Sequence, residues 1–420
     1  MERGNPIFRG REILDMFEHR QMTRRDLLRG AAGAAMVAPW VIPSRAFGAN
    51  DRIVMGCIGM GGQGRGDMRS MMGFSQVQVV ALCDVVEEHR NAAKSTVDEY
   101  YGNKDCATHT DFREITRRDD VDAVLIATPD HWHALISVDA MKHGKDVFCE
   151  KPESLTVRQG RLMVETARRY GRVFSGGSQR VWEDYNWYHR MVRGGAIGEA
   201  REAWVNVGGP SGPCDLPPEP TPPGVDWERW LGPAPWRPYH PTLIRGGFRP
   251  YSDYSGGGMT DWGCHGFGGA LFALNLHRTG PVEITPPDGK DRQRLTFRFA
   301  NGVRIYHGGS WGGMLSFRGT EGEISGQDQG AGIQPPAIHI PNYKGEGGLF
   351  GDFVHCVRTR ELPFRDIEIA HRTASLCHLG NIAYWLNRPT RWDPEREEII
   401  GDARAAEWLD RSMREPWGLV

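Results

Sequence analysis

Short apolar runs alternate with longer amphipathic stretches in the first half of the chain. Runs of buried-strand length occupy residues 52–58, 77–83, 121–127 and 145–149. Runs this short, bounded by glycine or polar residues and separated by room for a helix, are typical of parallel strands that are buried on both faces. The pattern therefore predicts an α/β domain built on a doubly wound parallel sheet.

The second half of the chain has a different pattern. Residues 210–240 are rich in proline and tryptophan without any hydrophobic period, which predicts a long ordered loop. Alternating stretches at 294–299, 303–307 and 314–319 predict an open, mostly antiparallel sheet. Residues 367–386 have the apolar spacing of a helix. These features indicate a second, α+β domain.

Composition narrows the possible functions. The chain has 420 residues, 39% of them hydrophobic, which is typical of a globular protein. Its 51 Lys and Arg against 53 Asp and Glu leave a net charge of −2, so no electrostatic basis for nucleic-acid binding exists. The eight cysteines form no C-x-x-C pair, which argues against a disulfide framework or a zinc site. We therefore predict no metal.

The N-terminal segment has the features of an export signal. Arg24 and Arg25 precede an apolar run at 30–42, and a small residue stands on either side of Phe47. A charged stretch, an apolar stretch and a small-residue cleavage site make a secretory signal, and the paired arginines favour the twin-arginine type. We therefore expect an exported, periplasmic protein. The alternatives are an uncleaved membrane anchor and an amphipathic surface helix.

A glycine-rich turn follows the first predicted strand. Gly59, Gly61 and Gly64 match G-x-G-x-x-G, with Gly62 and Gln63 inside the turn. In a strand–turn–helix setting, the first glycine permits the tight turn, the second lets the backbone approach a pyrophosphate, and the third allows close packing of helix on strand. The turn therefore predicts a dinucleotide site.

An acidic residue ends the second predicted strand. Asp84 stands at the offset expected of a carboxylate that bonds a ribose 2′-hydroxyl, and Val85 follows it instead of a basic residue. A carboxylate there repels a 2′-phosphate, so the sequence favours NAD over NADP. The alternative is a surface aspartate that caps a helix. We predict a signal segment at 1–49, an NAD-binding Rossmann domain at 50–178 and a substrate-binding domain at 179–420.

Polar residues also follow the third and fourth predicted strands. Ligands of such sheets bind at the carboxyl ends of the strands. The candidates for cofactor contact at these two ends are Thr128, Pro129, His133, Glu150 and Lys151.

The order and spacing of these motifs resemble the glucose–fructose oxidoreductase / inositol dehydrogenase / MocA family. The glycine-rich turn, the 128–133 turn and Glu150-Lys151-Pro152 match its first domain, and 256–265 resembles its Asp-x-x-x-His catalytic segment. The segment 226–233 resembles a subgroup of exported bacterial members. The resemblance implies NAD-dependent chemistry on sugars or polyols, and a homo-oligomer that associates through the outer face of the open sheet.

The resemblance also assigns catalytic roles. Lys151 is expected to bond the reacting hydroxyl, His265 to act as the acid/base, and Asp261 to orient the substrate or the histidine. An exposed loop lysine and a packing histidine are the alternatives for Lys151 and His265. Asp130 and Arg180 are secondary candidates for substrate contact, and so is Tyr185. Many relatives have Asn where this chain has Asp130.

We therefore expect hydride transfer between NAD and a secondary alcohol of a sugar or polyol. Export removes the free cofactor pool, which favours a cofactor that stays bound. A glycosidase that works by transient oxidation, elimination and re-reduction is the first alternative. A non-catalytic sugar-binding protein is the second alternative.

Overall fold

The computed structural model describes residues 52–419. The predicted export signal, with Arg24 and Arg25, lies outside the described residues. Within residues 52–419, no helix has the length and apolarity needed to cross a bilayer.

The first sheet has six parallel strands in the order β3-β2-β1-β4-β5-β6. Their bounds are β1 Ile53–Ile58, β2 Val77–Cys83, β3 Ala107–His109, β4 Ala123–Ile126, β5 Asp146–Cys149 and β6 Phe174–Gly176. The predicted doubly wound sheet is confirmed. The apolar run at 121–127 is longer than the strand it contains, because only its central residues pair with neighbouring strands.

Helices connect these strands. Their bounds are α1 Gly62–Met72, α2 Glu87–Tyr101, α3 Arg113–Thr116, α4 Asp130–Lys142 and α5 Val157–Tyr170. Helix α1 begins at Gly62, inside the glycine-rich turn. Its first turn thus stands directly over the end of β1.

The second sheet has eight strands in the order β12-β11-β7-β10-β9-β8-β13-β14. Their bounds are β7 Ala200–Val205, β8 Glu283–Thr285, β9 Thr296–Arg298, β10 Arg304–His307, β11 Leu315–Gly319, β12 Glu323–Ser325, β13 Thr390–Asp393 and β14 Glu398–Ile399. Only β7 and β10 pair in parallel, so the expected mostly antiparallel sheet is confirmed.

In the described part of the chain nine further helices follow, and one of them, Gly348–Thr359, packs in the core of the first sheet. They are α6 Arg180–Glu183, α7 Asn186–Arg193, α8 Trp227–Leu231, α9 Gly258–Asp261, α10 Gly263–Ala273, α11 Gly326–Gly330, α12 Gly348–Thr359, α13 Ile367–Leu386 and α14 Ala403–Ala406, with a π-helical turn at Leu243–Gly247 and a 3-10 turn at Glu407–Leu409. Helix α13 has the bounds that its apolar spacing predicted.

The proline- and tryptophan-rich region forms a small core of its own. Trp227 and Trp230 stack with ring centroids 4.8 Å apart and are buried, while Trp236 is 64% exposed. Buried Leu243 and Tyr254 complete this cluster. The long loop is therefore ordered, as predicted, by its own aromatic side chains.

Candidate active site

The four glycines of the turn fall into two groups. Gly59 has φ +85°, and a Cβ there would lie 2.6 Å from the Ala127 carbonyl carbon. A Cβ at Gly64 would lie 1.9 Å from the oxygen of Gly59. At Gly61 and Gly62 nothing lies within 4 Å. Two glycines thus serve the packing of the chain, and two leave open space at the N-terminus of α1, where unpaired N–H groups attract a pyrophosphate. This cradle fits a dinucleotide.

Asp84 is fixed at the end of β2. Its two oxygens accept hydrogen bonds from the backbone N–H groups of Met60 (2.6 Å) and Val86 (2.8 Å). His89 Nδ1 lies 3.5 Å from the same carboxylate, and the hydrogen bond to Asp84 raises the pKa of His89. The sequence analysis did not identify His89. The structure therefore holds the predicted ribose-binding carboxylate in one orientation.

A cleft of about 430 Å³ extends from this turn. One wall comes from the first sheet and carries Gly61, Asp84 and Thr128. The opposite wall comes from the tryptophan-rich region and carries Trp230, Phe248 and Arg249. The predicted contacts Gln63 and Pro129 also line this cleft. The cleft contains both the glycine-rich turn and Asp84, the two features expected to bind a dinucleotide.

Lys151 and Asp261 form the centre of the predicted catalytic group. Lys151 Nζ lies 2.6 Å from Asp261 Oδ1, and each side chain is 15% exposed. Arg249 Nε lies 3.2 Å from the same oxygen. Burial works against the charge on Lys151, but the carboxylates of Glu150 and Asp261 outweigh it and raise the pKa of Lys151. Burial alone would raise the pKa of Asp261, but the positive charges of Lys151 and Arg249 outweigh it and lower this pKa. Both groups are therefore charged.

His265 lies one helical turn beyond Asp261, across the junction of α9 and α10. It is 4% exposed, and its Nδ1 has no hydrogen-bond partner among the described residues. Burial, followed by the charges of Lys151 and Arg180, lowers the pKa of His265 to about 3. His265 is thus neutral near pH 7 and can accept a proton.

Trp262 forms an exposed surface beside this histidine. Its side chain is 42% exposed, and its ring centroid lies 5.9 Å from that of His265. The guanidinium carbon of Arg180 lies 5.1 Å from the ring of Trp262. The structure therefore brings the secondary candidate Arg180 to the rim of the catalytic group.

Asp130 is the first residue of α4 and is 4% exposed. Its Oδ2 has no hydrogen-bond partner among the described residues. Burial raises the pKa of Asp130 to about 7, although the Ser255 hydroxyl and the charge of Arg249 oppose the shift. Asp130 is therefore a protonatable carboxyl close to the catalytic cations. It does not carry a fixed negative charge at neutral pH.

Two other candidates have packing contacts. The ring nitrogens of His133 lie 2.7 Å from Pro152 O and 2.8 Å from Thr128 O, so its polar atoms face backbone instead of the cleft. Burial lowers the pKa of His133 to about 4. Tyr185 is 6% exposed in the core beneath the second sheet, with its hydroxyl 2.8 Å from the sulfur of Met314. Their positions support a structural role for both residues.

Two further carboxyls, those of Glu150 and Asp67, lie near Lys151. Glu150 accepts a hydrogen bond from Lys151 N at 3.2 Å, and Asp67 accepts one from Gln63 Nε2 at 2.8 Å. Both carboxyls are buried, and burial raises the pKa of each. The charge of Asp67 raises the pKa of Glu150 further. Ionisation of both carboxyls at once is therefore disfavoured.

Besides His89, three residues of this site were not predicted from the sequence. Trp262 stands inside the Asp-x-x-x-His segment, so its position was a usable signal. Asp67 follows the glycine-rich turn at helical spacing from Gln63, which was a weaker signal. Arg249 belongs to no motif, and only the folded chain brings it to Asp261. Among residues 52–419, no three His, Cys, Asp or Glu side chains are grouped to bind a metal ion.

Comparison with known proteins found similar sequences. The chain is 33% identical over 207 residues to a glycosyl hydrolase family 109 protein of Saccharopolyspora erythraea, covering 42% of this chain and 44% of that protein. It is 34% identical over 122 residues to an alpha-N-acetylgalactosaminidase of Shewanella oneidensis, covering 27% of this chain and 26% of the relative. The matches thus span less than half of each relative.

Solved structures share the fold. The aldose-aldose oxidoreductase of Caulobacter crescentus is 18% identical with a TM-score of 0.57, covering 81% of this chain and 99% of that one. The myo-inositol 2-dehydrogenase of Lactobacillus plantarum is 17% identical with a TM-score of 0.56, at the same two coverages.

Two family models match most of the described residues. The model described as "Oxidoreductase family, NAD-binding Rossmann fold" matches residues 53–178. The model described as "Oxidoreductase family, C-terminal alpha/beta domain" matches residues 203–419. The second match alone covers more than half of the chain. The chain therefore belongs to the Gfo/Idh/MocA family of NAD-binding oxidoreductases.

Proposed function

We propose that this protein transfers hydride between a bound NAD(H) and a secondary alcohol of a sugar or polyol. The observation that carries the proposal is the 2.6 Å contact between Lys151 Nζ and Asp261 Oδ1, at the end of the sheet that also holds the glycine-rich cradle. An ammonium held in this way is a hydrogen-bond donor for an oxygen that gains negative charge.

The proton of the reacting hydroxyl goes to His265. This imidazole is neutral, and its Nδ1 has no hydrogen-bond partner among the described residues. A bound NAD would supply the acceptor for the hydride that leaves the carbon. Lys151 stabilises the alkoxide meanwhile. The neighbouring cations disfavour a protonated His265, and negative charge on the substrate oxygen offsets them. Proton transfer to His265 and hydride transfer from the carbon therefore assist each other.

NAD is proposed in preference to NADP because of Asp84. Its carboxylate lies at the edge of the cleft in a fixed orientation. A 2′-phosphate placed there would face a negative charge at short range, whereas ribose hydroxyls donate hydrogen bonds to it. The NAD complex of the structurally similar GenD2 protein agrees with this choice.

A carbohydrate substrate is supported by the surface of Trp262. The apolar face of a sugar ring packs on an exposed indole, and this indole lies between Asp261 and His265 in the chain. Arg180 lies on the same ring and offers hydrogen-bond donors to sugar hydroxyls. A sugar on this surface has its hydroxyls within reach of the catalytic group.

A second candidate function is a glycosidase that keeps its NAD. The names of the curated relatives favour it. Oxidation of a sugar carbon acidifies the neighbouring C–H, a base removes that proton, and the leaving group departs with the pair of electrons. Addition of water and re-reduction then return the hydride. Asp130, a buried carboxyl whose pKa is raised to about 7, is our candidate for this second base.

We also propose export and self-association. The paired arginines and the apolar run of residues 1–49 support twin-arginine export to the periplasm, where a cofactor that is loaded before export must stay bound. The open eight-stranded sheet offers a face through which copies of the chain associate. Cell fractionation and the mass of the purified protein in solution test these two proposals.

The decisive experiment is a panel of free sugars and nitrophenyl glycosides, assayed with the as-purified protein with and without added NAD. A stoichiometric rise in NADH absorbance with a free sugar supports the oxidoreductase. Release of nitrophenol with only catalytic NAD selects the glycosidase. Binding of sugars without either reaction refutes both and selects a non-catalytic sugar-binding protein.

A further inference from the structure

One segment of the tryptophan-rich region, residues 224–249, runs along the cofactor cleft; we call it the strap. It begins beside the strand that ends in the ribose-binding carboxylate. Asp226 N donates a hydrogen bond to Val85 O at 3.0 Å, and Glu87 N donates one to Gly224 O at 2.8 Å. Backbone hydrogen bonds therefore tie the first end of the strap to the first domain.

The rest of the strap reaches the catalytic end of the cleft. Trp230 O accepts a hydrogen bond from Trp132 Nε1 at 3.0 Å. At the far end, Arg249 Nε lies 3.2 Å from Asp261 Oδ1. Between these points the strap lines the cleft with Leu243, Ile244 and Phe248. The strap thus covers the cleft from its ribose end to its catalytic end.

The C-terminal segment, residues 411–419, fastens the strap; we call it the tail. Arg414 N donates a hydrogen bond to Pro233 O at 3.0 Å, and Arg414 Nε donates one to Gly232 O at 3.1 Å. The same guanidinium forms an ion pair with Glu228. A single tail residue therefore contacts three positions of the strap.

The tail also contributes a wall of the cleft. Trp417 lines it together with Phe112, which follows β3 at the ribose side of the sheet. The ring of Trp417 lies 4.9 Å from that of Trp132, edge to face, and the guanidinium carbon of Arg113 lies 5.1 Å from the Trp417 ring. Trp417 is thus held in place by aromatic and cation–π contacts.

We propose that the strap and the tail together form a clasp that retains the dinucleotide, with Arg414 as its fastener and Trp417 as its wall at the adenosine end. Both segments line the cleft, so a cofactor bound there lies against both of them. This inference rests on the proposed function, in which NAD stays bound through a closed cycle. The residues that retain the cofactor then lie far from the reacting atoms.

The test measures exchange of the cofactor without any substrate. As-purified holoprotein is mixed with an excess of radiolabelled NAD, and the label that becomes bound is followed over time. We expect slow exchange in the wild type. Arg414→Ala and Trp417→Ala are expected to exchange about tenfold faster or more, because changes to an enclosed site act mainly on the dissociation rate. Trp417→Phe keeps an aromatic wall and is expected to stay slow.

Matched controls come from the same chain. Arg298→Ala removes an exposed ion pair with Glu283 on the second sheet, and Trp408→Ala removes a 45% exposed indole that packs on Trp385. Both are expected to exchange at the wild-type rate, and melting curves verify that every variant is folded. Wild-type exchange within the mixing time, or equal rates in all variants, overturns the clasp. Because no substrate is present, slow exchange in a protein that turns over no sugar refutes only the proposed function.

Discussion

The glycine-rich turn makes a prediction that separates packing from cofactor binding. In Gly64→Ala, the new Cβ would stand 1.9 Å from the oxygen of Gly59 and 3.2 Å from Ala127 Cβ. Because carbon and oxygen atoms normally approach to about 3.3–3.6 Å, α1 must move away from β1 by more than about 1 Å. Overpacking of this kind costs about 1–3 kcal/mol of unfolding free energy.

The loss is large enough to measure by thermal melting. In larger domains each kcal/mol moves the melting temperature by about 2–4 °C, so we expect cofactor-free Gly64→Ala to melt roughly 2–12 °C below the wild type. Gly61→Ala behaves differently, because nothing lies within 4 Å and its φ of −64° suits alanine. Its methyl group occupies the approach of the pyrophosphate, so Kd for NAD rises by roughly 5- to 150-fold, or about 1–3 kcal/mol, without loss of stability.

Gly66→Ala is the control, because Gly66 lies on the exposed face of α1 with nothing within 4 Å. Alanine there removes about 1 kcal/mol of helix cost, so stability rises and Kd for NAD stays unchanged. Melting of the cofactor-free variants and calorimetric titration with NAD give both quantities. Equal destabilisation of Gly61→Ala and Gly64→Ala, or wild-type NAD affinity in Gly61→Ala, would refute the division of roles.

Substitutions at four further positions test the site. Lys151→Met is expected to lower kcat by about 10²–10³-fold, because a donor to the developing alkoxide is lost; steady-state kinetics with undiminished kcat would contradict this role. Trp262→Ala is expected to raise KM about tenfold with little change in kcat, and Trp262→Phe to restore most of the affinity; an unchanged KM argues against sugar packing. Burial raises the pKa of Glu150 in the folded protein. The bound proton therefore stabilises the folded state fully below the ordinary pKa of a glutamate, and this stabilisation is lost as the pH rises through the raised pKa. The melting temperature of Glu150→Gln is therefore expected to fall less than that of the wild type between about pH 5 and about pH 9. Parallel curves of melting temperature against pH for the two proteins would refute this. In Asp130→Asn, nitrophenol release is expected to fall while NADH formation persists, and an equal effect on both removes Asp130 as the second base.

Much of the fold was predictable because burial and periodicity coincide. The strand Val77–Cys83 and the helix Ile367–Leu386 have the bounds that their apolar spacing predicts. The strand contains no glycine, and the helix contains only Gly380, whose effect the surrounding apolar spacing outweighs. The start of α1 was not predictable from propensity, because glycine disfavours helix and four glycines stand near its start. There the packing of α1 on β1 decides the conformation.

The site was predictable only in part. Lys151 and Asp261 are 110 positions apart, and no local pattern joins them; the family resemblance did so, and the structure places them in contact. Arg249 could not be found, because its contact with Asp261 depends on the path of the strap. His133 and Tyr185 showed the opposite problem, since a motif position indicates proximity to a site without telling which way a side chain faces.

Charge state was the property least accessible from sequence. Asp130 and Asp261 are both aspartates that lie near Lys151 and Arg249. Asp261 contacts both cations directly, which lowers its pKa. Asp130 is buried without such a contact, which raises its pKa to about 7. Two carboxyls whose pKa values are pushed apart by their surroundings can take different roles at one pH. Hydride transfer from an alcohol needs only the ionised one beside its lysine, whereas an elimination also needs a carboxyl that gains and loses a proton near neutrality. The presence of both in one site is the physical reason to test this oxidoreductase on glycosides as well as on free sugars.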